Sequence, residues 1–359
     1  MLTYIAIAIA LFFAMNIGAS GAAATMGIAY GSGAVKTKWV ALVFVAIGVF
    51  LGSVLGSGEV VKTIGGGIVP SDILTVQVVV IILFSATFSL FMANLLGIPL
   101  STSEVTVGSI VGAGVAFQVL FVKNILVIVS FWLIVPAVAF IMAIICGKLI
   151  QYLERRFPVL QGQGKWKRIL AVLVILAGMF EAFSAGMNNV ANAVGPIIGA
   201  GLMSESAGVF WGGLFVALGA ILMGGRVMET NGKRITNLSL LQGTSISGTG
   251  GLLVMIASLY GLPVPLAQVT TSAIMGIGTA DNGFRIWQKN IMIQIIQVWL
   301  VSPVLSLVIC YALIKALLDR NLYVLVAIGS VFLATVGIIS LYQTVRKEKT
   351  SMHEDGGGI

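Results

Sequence analysis

The chain has 359 residues, 58% of them hydrophobic and 9% charged, with a mean hydropathy of +1.09. Soluble domains carry about 25% charged residues, so a soluble enzyme, a disordered chain and a secreted disulfide scaffold are excluded. Such hydropathy also argues against an outer-membrane barrel, whose strands alternate. An all-α polytopic membrane protein remains. Lys and Arg number 20 against 12 Asp and Glu. The basic residues lie mostly in short breaks between apolar runs, which reads as positive-inside topology and not as nucleic-acid binding.

The N-terminus, Met1–Phe13, lacks a basic leader and reads as the first half of a membrane helix. Apolar runs follow at 3–30, 39–57, 73–96, 105–122, 125–147, 169–187, 189–203, 207–224, 236–260, 264–279, 291–315 and 322–342, predicting about 10–12 membrane segments. Several runs are short and interrupted by Gly, Pro, Asn, Ser or Thr, the pattern of broken or re-entrant helices at a transporter's binding site.

The interruptions recur as an internal repeat. Gly18–Gly27 matches Gly186–Gly195 at an offset of 168. Val60-Val-Lys-Thr63 with Ile68 matches Val227-Met-Glu-Thr230 with Ile235 at 167. Gly97-Ile-Pro-Leu and Gly112 match Gly261-Leu-Pro-Val and Gly276 at 164. The predicted organisation is an N-terminal transmembrane repeat at 1–148, a basic linker at 149–168, a C-terminal repeat at 169–345 and a polar tail at 346–359. The linker region holds Lys148, Arg155, Arg156, Lys165, Lys167 and Arg168 against Glu154 alone, which predicts a cytoplasmic position.

The polar residues at the interruptions suggest a ligand. Ser20 and Gly21 lie in the first match, and Asn188, Asn189 and Asn192 in the second. Ser101, Thr102 and Ser103 follow the first Gly-x-Pro element, and Gln268 and Thr270 follow the second. A helix that starts in mid-membrane exposes backbone N–H groups, and hydroxyls and amides complete a donor shell for an oxyanion. Two blander readings compete with this. Ser101 with Glu104 is also a capping box, and small residues also serve close helix packing. Recurrence in both halves favours a site. Glu104 and Glu181 are the most deeply embedded acids and are candidate proton carriers, while Glu59, Glu229 and Asp281 lie near segment ends. No Cys/His cluster suggests a metal, and no paired nucleophile and base suggests an enzyme.

These residues together resemble the PiT family of inorganic anion transporters. The carriers of the resemblance are Gly186-Met-Asn-Asn-Val-Ala-Asn-Ala193, Gly97-Ile-Pro-Leu-Ser-Thr-Ser103 and the two Val-x-x-Thr elements. The resemblance implies two inverted repeats, alternating access, a plasma-membrane location, no cofactor and a possible homodimer. The family's phosphate transporters carry an Asp for Na⁺ where this chain has Gly21 and Asn189. Glu104 stands where His is usual, and Pro265-Leu-Ala267 replaces the second hydroxyl triplet. Loss of both carboxylates removes hard Na⁺ ligands and repulsion toward a dianion. Sulfate carries no proton near neutral pH and wants donors only. The pattern therefore looks like the sulfate permease branch of the family, with H⁺ as coupling cation. A Na⁺/phosphate symporter and a passive anion channel are the alternatives.

Overall fold

The computed structural model describes residues 1–95, 100–234, 238–283, 289–327 and 329–330. Gly97–Pro99 of the first Gly-x-Pro element, Ile235, most of the run at 322–342 and the polar tail lie outside them. The described residues are helical, without a strand among them. Met1–Cys310 form one compact unit and Tyr311–Ile359 a second.

Among the described residues, seven helices are long and apolar enough to cross a membrane. They are α1 (Leu2–Ile17, extended by a π-helical turn over Gly18–Ala22), α3 (Lys38–Gly56), α5 (Val76–Leu95), α7 (Val122–Arg156), α8 (Gly164–Gly199), α9 (Glu205–Met223) and α11 (Leu240–Leu259). The others are α2 (Gly27–Gly31), α4 (Gly58–Gly66), α6 (Thr102–Phe117), α10 (Gly225–Arg234), α12 (Leu266–Asn282) and α13 (Lys289–Leu317).

The repeat recurs in the elements themselves. Helices α3 and α9 both have 19 residues and start 167 apart, at 38 and 205. Helices α5 and α11 both have 20 and start 164 apart, at 76 and 240. The half-length helices α6 and α12 start at 102 and 266, again 164 apart.

The runs 169–187 and 189–203, expected as two segments, form one helix. Helix α8 continues unbroken for 36 residues through Gly186, Asn189 and Gly195. A helix crossing hydrocarbon keeps every backbone bond internal, and Gly186 serves packing there. A Cβ on Gly186 would strike the Val49 carbonyl of α3, and one on Gly52 would strike the Phe183 carbonyl of α8. The two backbones touch because neither has a side chain at the crossing. The first copy differs: α1 yields to the π turn and a tight turn at Thr25–Met26 before α2, with the Thr25 hydroxyl donating to the Ala22 carbonyl at 2.8 Å. Gly52→Val is expected to destabilise the bundle by about 1–3 kcal/mol through overpacking. Gly248→Ala, which meets open space inside α11, is expected to be neutral or mildly stabilising. Thermal unfolding in detergent compares the two.

The basic linker is also mostly helical. Helix α7 runs to Arg156 and α8 starts at Gly164, so residues 157–163 alone separate them, with a 3₁₀ turn at Pro158–Gln161.

Contacts fix the relative directions. Gly48, Gly52 and Gly56 of α3 meet Ala182, Phe183 and Met187 of α8 in that order, so α3 and α8 are parallel. Ser53 faces Gly213 while Glu205 faces Gly58, so α9 is antiparallel to α3. Met15 faces Gly219 and Ala23 faces Gly224, so α1 is parallel to α9 and therefore antiparallel to α8, its repeat equivalent. Helix α6 runs away from the linker end, its Gly114 meeting Val69 at the far end. Helix α12 runs toward the linker end, where Gly147 meets Ala280.

Candidate functional site

The N-terminus of α6 abuts the middle of α8. Ser101 takes extended backbone and caps the helix, its hydroxyl accepting from the Glu104 N–H at 3.5 Å. Thr102 and Ser103 fill the first turn beside Asn188, Asn189 and Asn192, and all six polar side chains from Ser101 to Asn192 named here are buried. The Thr102 hydroxyl donates to Asn189 Oδ1 at 3.2 Å and the Ser103 hydroxyl to the Val264 carbonyl at 3.2 Å. Asn192 Nδ2 donates to Ser103 Oγ at 3.1 Å, and its Oδ1 is buried without a partner.

Asn188 ties this cluster to the second half-helix. Its Nδ2 donates to Ser258 Oγ at 3.0 Å and to the Leu262 carbonyl at 2.9 Å. Its Oδ1 accepts from the Val264 N–H at 3.1 Å. Trp132 Nε1 donates to the Pro263 carbonyl at 2.9 Å. The non-helical residues 262–264 would otherwise bury naked backbone groups. Asn188, Trp132 and Ser103 satisfy them, and so set where α12 begins.

Glu104 does not complete the capping box. Its side chain crosses to α12 and accepts from Gln268 Nε2. The other oxygen, Oε2, is buried without a hydrogen-bond partner, with Ser302 close by. Glu104 and Gln268 occupy the same repeat position, 164 residues apart. Gly21 and Asn189 do so as well, 168 apart, and a Cβ on Gly21 would lie 3.8 Å from Asn189 Nδ2. Both pairs bring together residues at matching positions of the two halves.

Glu181 builds a second polar cluster two helical turns along α8 from Asn188. Its Oε1 accepts from the Thr270 hydroxyl at 2.6 Å, and its Oε2 is buried without a partner. Gly250 of α11 gives it room, with the place of a Cβ 3.1 Å from Oε1.

The structure thus brings Ser101, Thr102, Ser103, Asn188, Asn189 and Asn192 into one cluster, with Gly21 beside Asn189 and the Glu104–Gln268 pair adjoining. It leaves out two of the expected residues. Ser20 donates to the Asn16 carbonyl of its own helix at 2.9 Å, and Thr270 belongs with Glu181. Sequence reasoning did not find Trp132, Ser258, Val264 or Ser302. Pro263 alone carried a signal, because an extended segment at a proline leaves N–H groups such as that of Val264 without a helical partner.

An all-α multi-pass bundle with two half-helices whose N-termini meet over buried amides and hydroxyls defines a membrane transporter. A solved structure described as the sodium-dependent phosphate transporter has the same fold, with a TM-score of 0.76 at 23% identity, covering 87% of this chain and 97% of that one. The model of the phosphate transporter family matches residues 17–310, and the chain belongs to that family. It is 55% identical over 354 residues to the sulfate permease CysP of Bacillus subtilis (strain 168), covering 99% of each chain.

Proposed function

We propose that this chain imports sulfate across the plasma membrane by H⁺-coupled alternating access between two inverted repeats, with the basic linker in the cytoplasm. It acts as a transporter and not as an enzyme. The observation that carries the reading is the neutral character of the cluster: Gly21 and Asn189 put no carboxylate against Thr102 and Ser103. Hydroxyl protons now spent on asparagine and backbone oxygens can rotate to an oxyanion, and the N-terminus of α6 adds N–H groups and positive partial charge. The antiparallel course of α1 and α8, and the contacts between Glu104 and Gln268 and between Gly21 and Asn189, support inversion about an axis through the site. The 55% identical relative named as a sulfate permease supports the choice of anion.

A dianion entering a negative interior works against about 2.3 kcal/mol per charge per 100 mV, so a cation must accompany it. A carboxyl group beside the cluster can take up and release a proton, and Glu104 is the nearer of the two candidates. Labelled sulfate uptake into proteoliposomes under an inward proton gradient tests the reading. Accumulation that a protonophore abolishes, that ignores Na⁺ and that phosphate competes with poorly is the expected result. Na⁺-dependent phosphate accumulation would make the chain a phosphate symporter. Flux without accumulation would make it a passive channel.

A further inference from the structure

We propose that the linker end of the bundle carries a binding site for the headgroup of an anionic phospholipid, between α3, α9 and α10. Helix α3 starts at Lys38, the antiparallel α9 stops at Met223 and α10 begins at Gly225. These three helix ends border an open cavity of 430 Å³ lined by Lys38, Trp39, Leu42, Leu222, Met223 and Arg226 among others.

The lining divides as a lipid does. Lys38 and the exposed Arg226 supply cations at one level, with exposed Lys36 just beyond. Trp39 is 60% exposed beside them, the placement of an interfacial aromatic. Leu222 and Met223 are exposed next to the cavity and offer an acyl chain an apolar wall. A free phosphate would use the cations and leave that wall uncovered. Basic pockets between membrane helices at the cytoplasmic level hold anionic headgroups in this way.

The cavity has a built frame. Lys38 Nζ pairs with Glu229 Oε1 at 2.8 Å. The Lys38 stem reaches it by lying across Gly225, where a Cβ would strike Lys38 Cε. Glu229 thus positions one cation, and the charged residues that line the cavity, Lys38 and Arg226, are both basic.

The other repeat supplies an internal control. At an offset of 167, Glu205 corresponds to Lys38, Glu59 to Arg226 and Lys62 to Glu229. The frame is the same: the Glu205 carboxylate stands over Gly58 as Lys38 stands over Gly225. Lys62 pairs with Glu59 at 2.6 Å, and Glu59 foremost, with Glu205 adding, raises the Lys62 pKa. Every sign is reversed. One scaffold is built at both ends of the α3–α9 pair, and the linker end alone has the charge to hold a phosphodiester.

Lipid retained by the full-length protein, purified in detergent from membranes containing phosphatidylglycerol and phosphatidylcholine, is measured by native mass spectrometry. Phosphatidylglycerol is expected to remain bound in preference to phosphatidylcholine. Arg226→Gln is expected to weaken that retention about fivefold, the effect of one cation near a lipid surface. Arg226→Lys is expected to restore it, which a merely structural lesion would not allow. Lys62→Gln, at the opposite end, is expected to leave it unchanged. Equal retention of both lipids, or Arg226→Gln retaining lipid like the parent, would overturn the proposal. So would full displacement by inorganic phosphate alone, which would mark a site for a soluble anion.

Discussion

Asn188→Leu is expected to abolish uptake and to be among the most destabilising single changes in the chain. The amide is the joint between the two half-helices. Without it the Leu262 carbonyl and the Val264 N–H lose their partners in a buried setting, at about 1–3 kcal/mol each. Ser258 and Ser103 lose a partner as well. The segment leading into α12 then keeps Trp132 on the Pro263 carbonyl and Ser103 on the Val264 carbonyl, and the cluster loses its spacing to α6. Thermal unfolding and labelled uptake read the two effects separately. Asn188→Asp sharpens the test, because it keeps the acceptor for Val264 and loses the donation to Leu262. It should unfold closer to the parent and still fail in transport, since it puts a negative charge among the neutral hydroxyls and amides of the cluster. Parental uptake by Asn188→Leu would remove Asn188 from the site altogether.

The second large effect concerns coupling. Glu104→Gln keeps the length of the side chain and an oxygen to accept from Gln268, and it removes the group that can carry a proton. Sulfate accumulation is expected to disappear while exchange of labelled for unlabelled sulfate across the membrane continues. The scale is set by the field: at 100 mV, inside negative, an uncoupled dianion is excluded by roughly three orders of magnitude. Glu181→Gln is the comparison. If it alone abolished accumulation and Glu104→Gln did not, the proton would belong to the Thr270 cluster.

Much of this architecture was legible because membrane chains declare polar residues sharply. Ser101–Ser103 and the three asparagines stood out against apolar runs, and burying such groups is costly enough that they must find one another. The repeat was legible because its glycines and prolines hold fixed offsets, and the helix lengths repeat with them. The course of α8 was not legible. Gly186, Asn189 and Gly195 look the same in sequence whether they break a helix or let two helices touch, and the decision rests on Val49 of α3, which no local pattern reveals. The Glu104–Gln268 contact was hidden for a similar reason. A Ser-x-x-Glu spacing predicts a local capping box, whereas the carboxylate reaches a residue 164 positions away. The linker's helical course was not legible from its charge, because a run of exposed basic residues suits a loop and a solvated helix end equally.

The two halves match in their elements, and Glu104 against Gln268 shows where they differ. Were the halves identical, Glu104 would face a second glutamate at position 268, or Gln268 a second glutamine at position 104. Two glutamates there would have shared a single proton between like charges, and two glutamines would have had none to offer. An acid facing an amide keeps one proton and gives the contact a direction, because one side donates and the other accepts. The halves match in their elements and differ at this contact, so neither can stand in for the other.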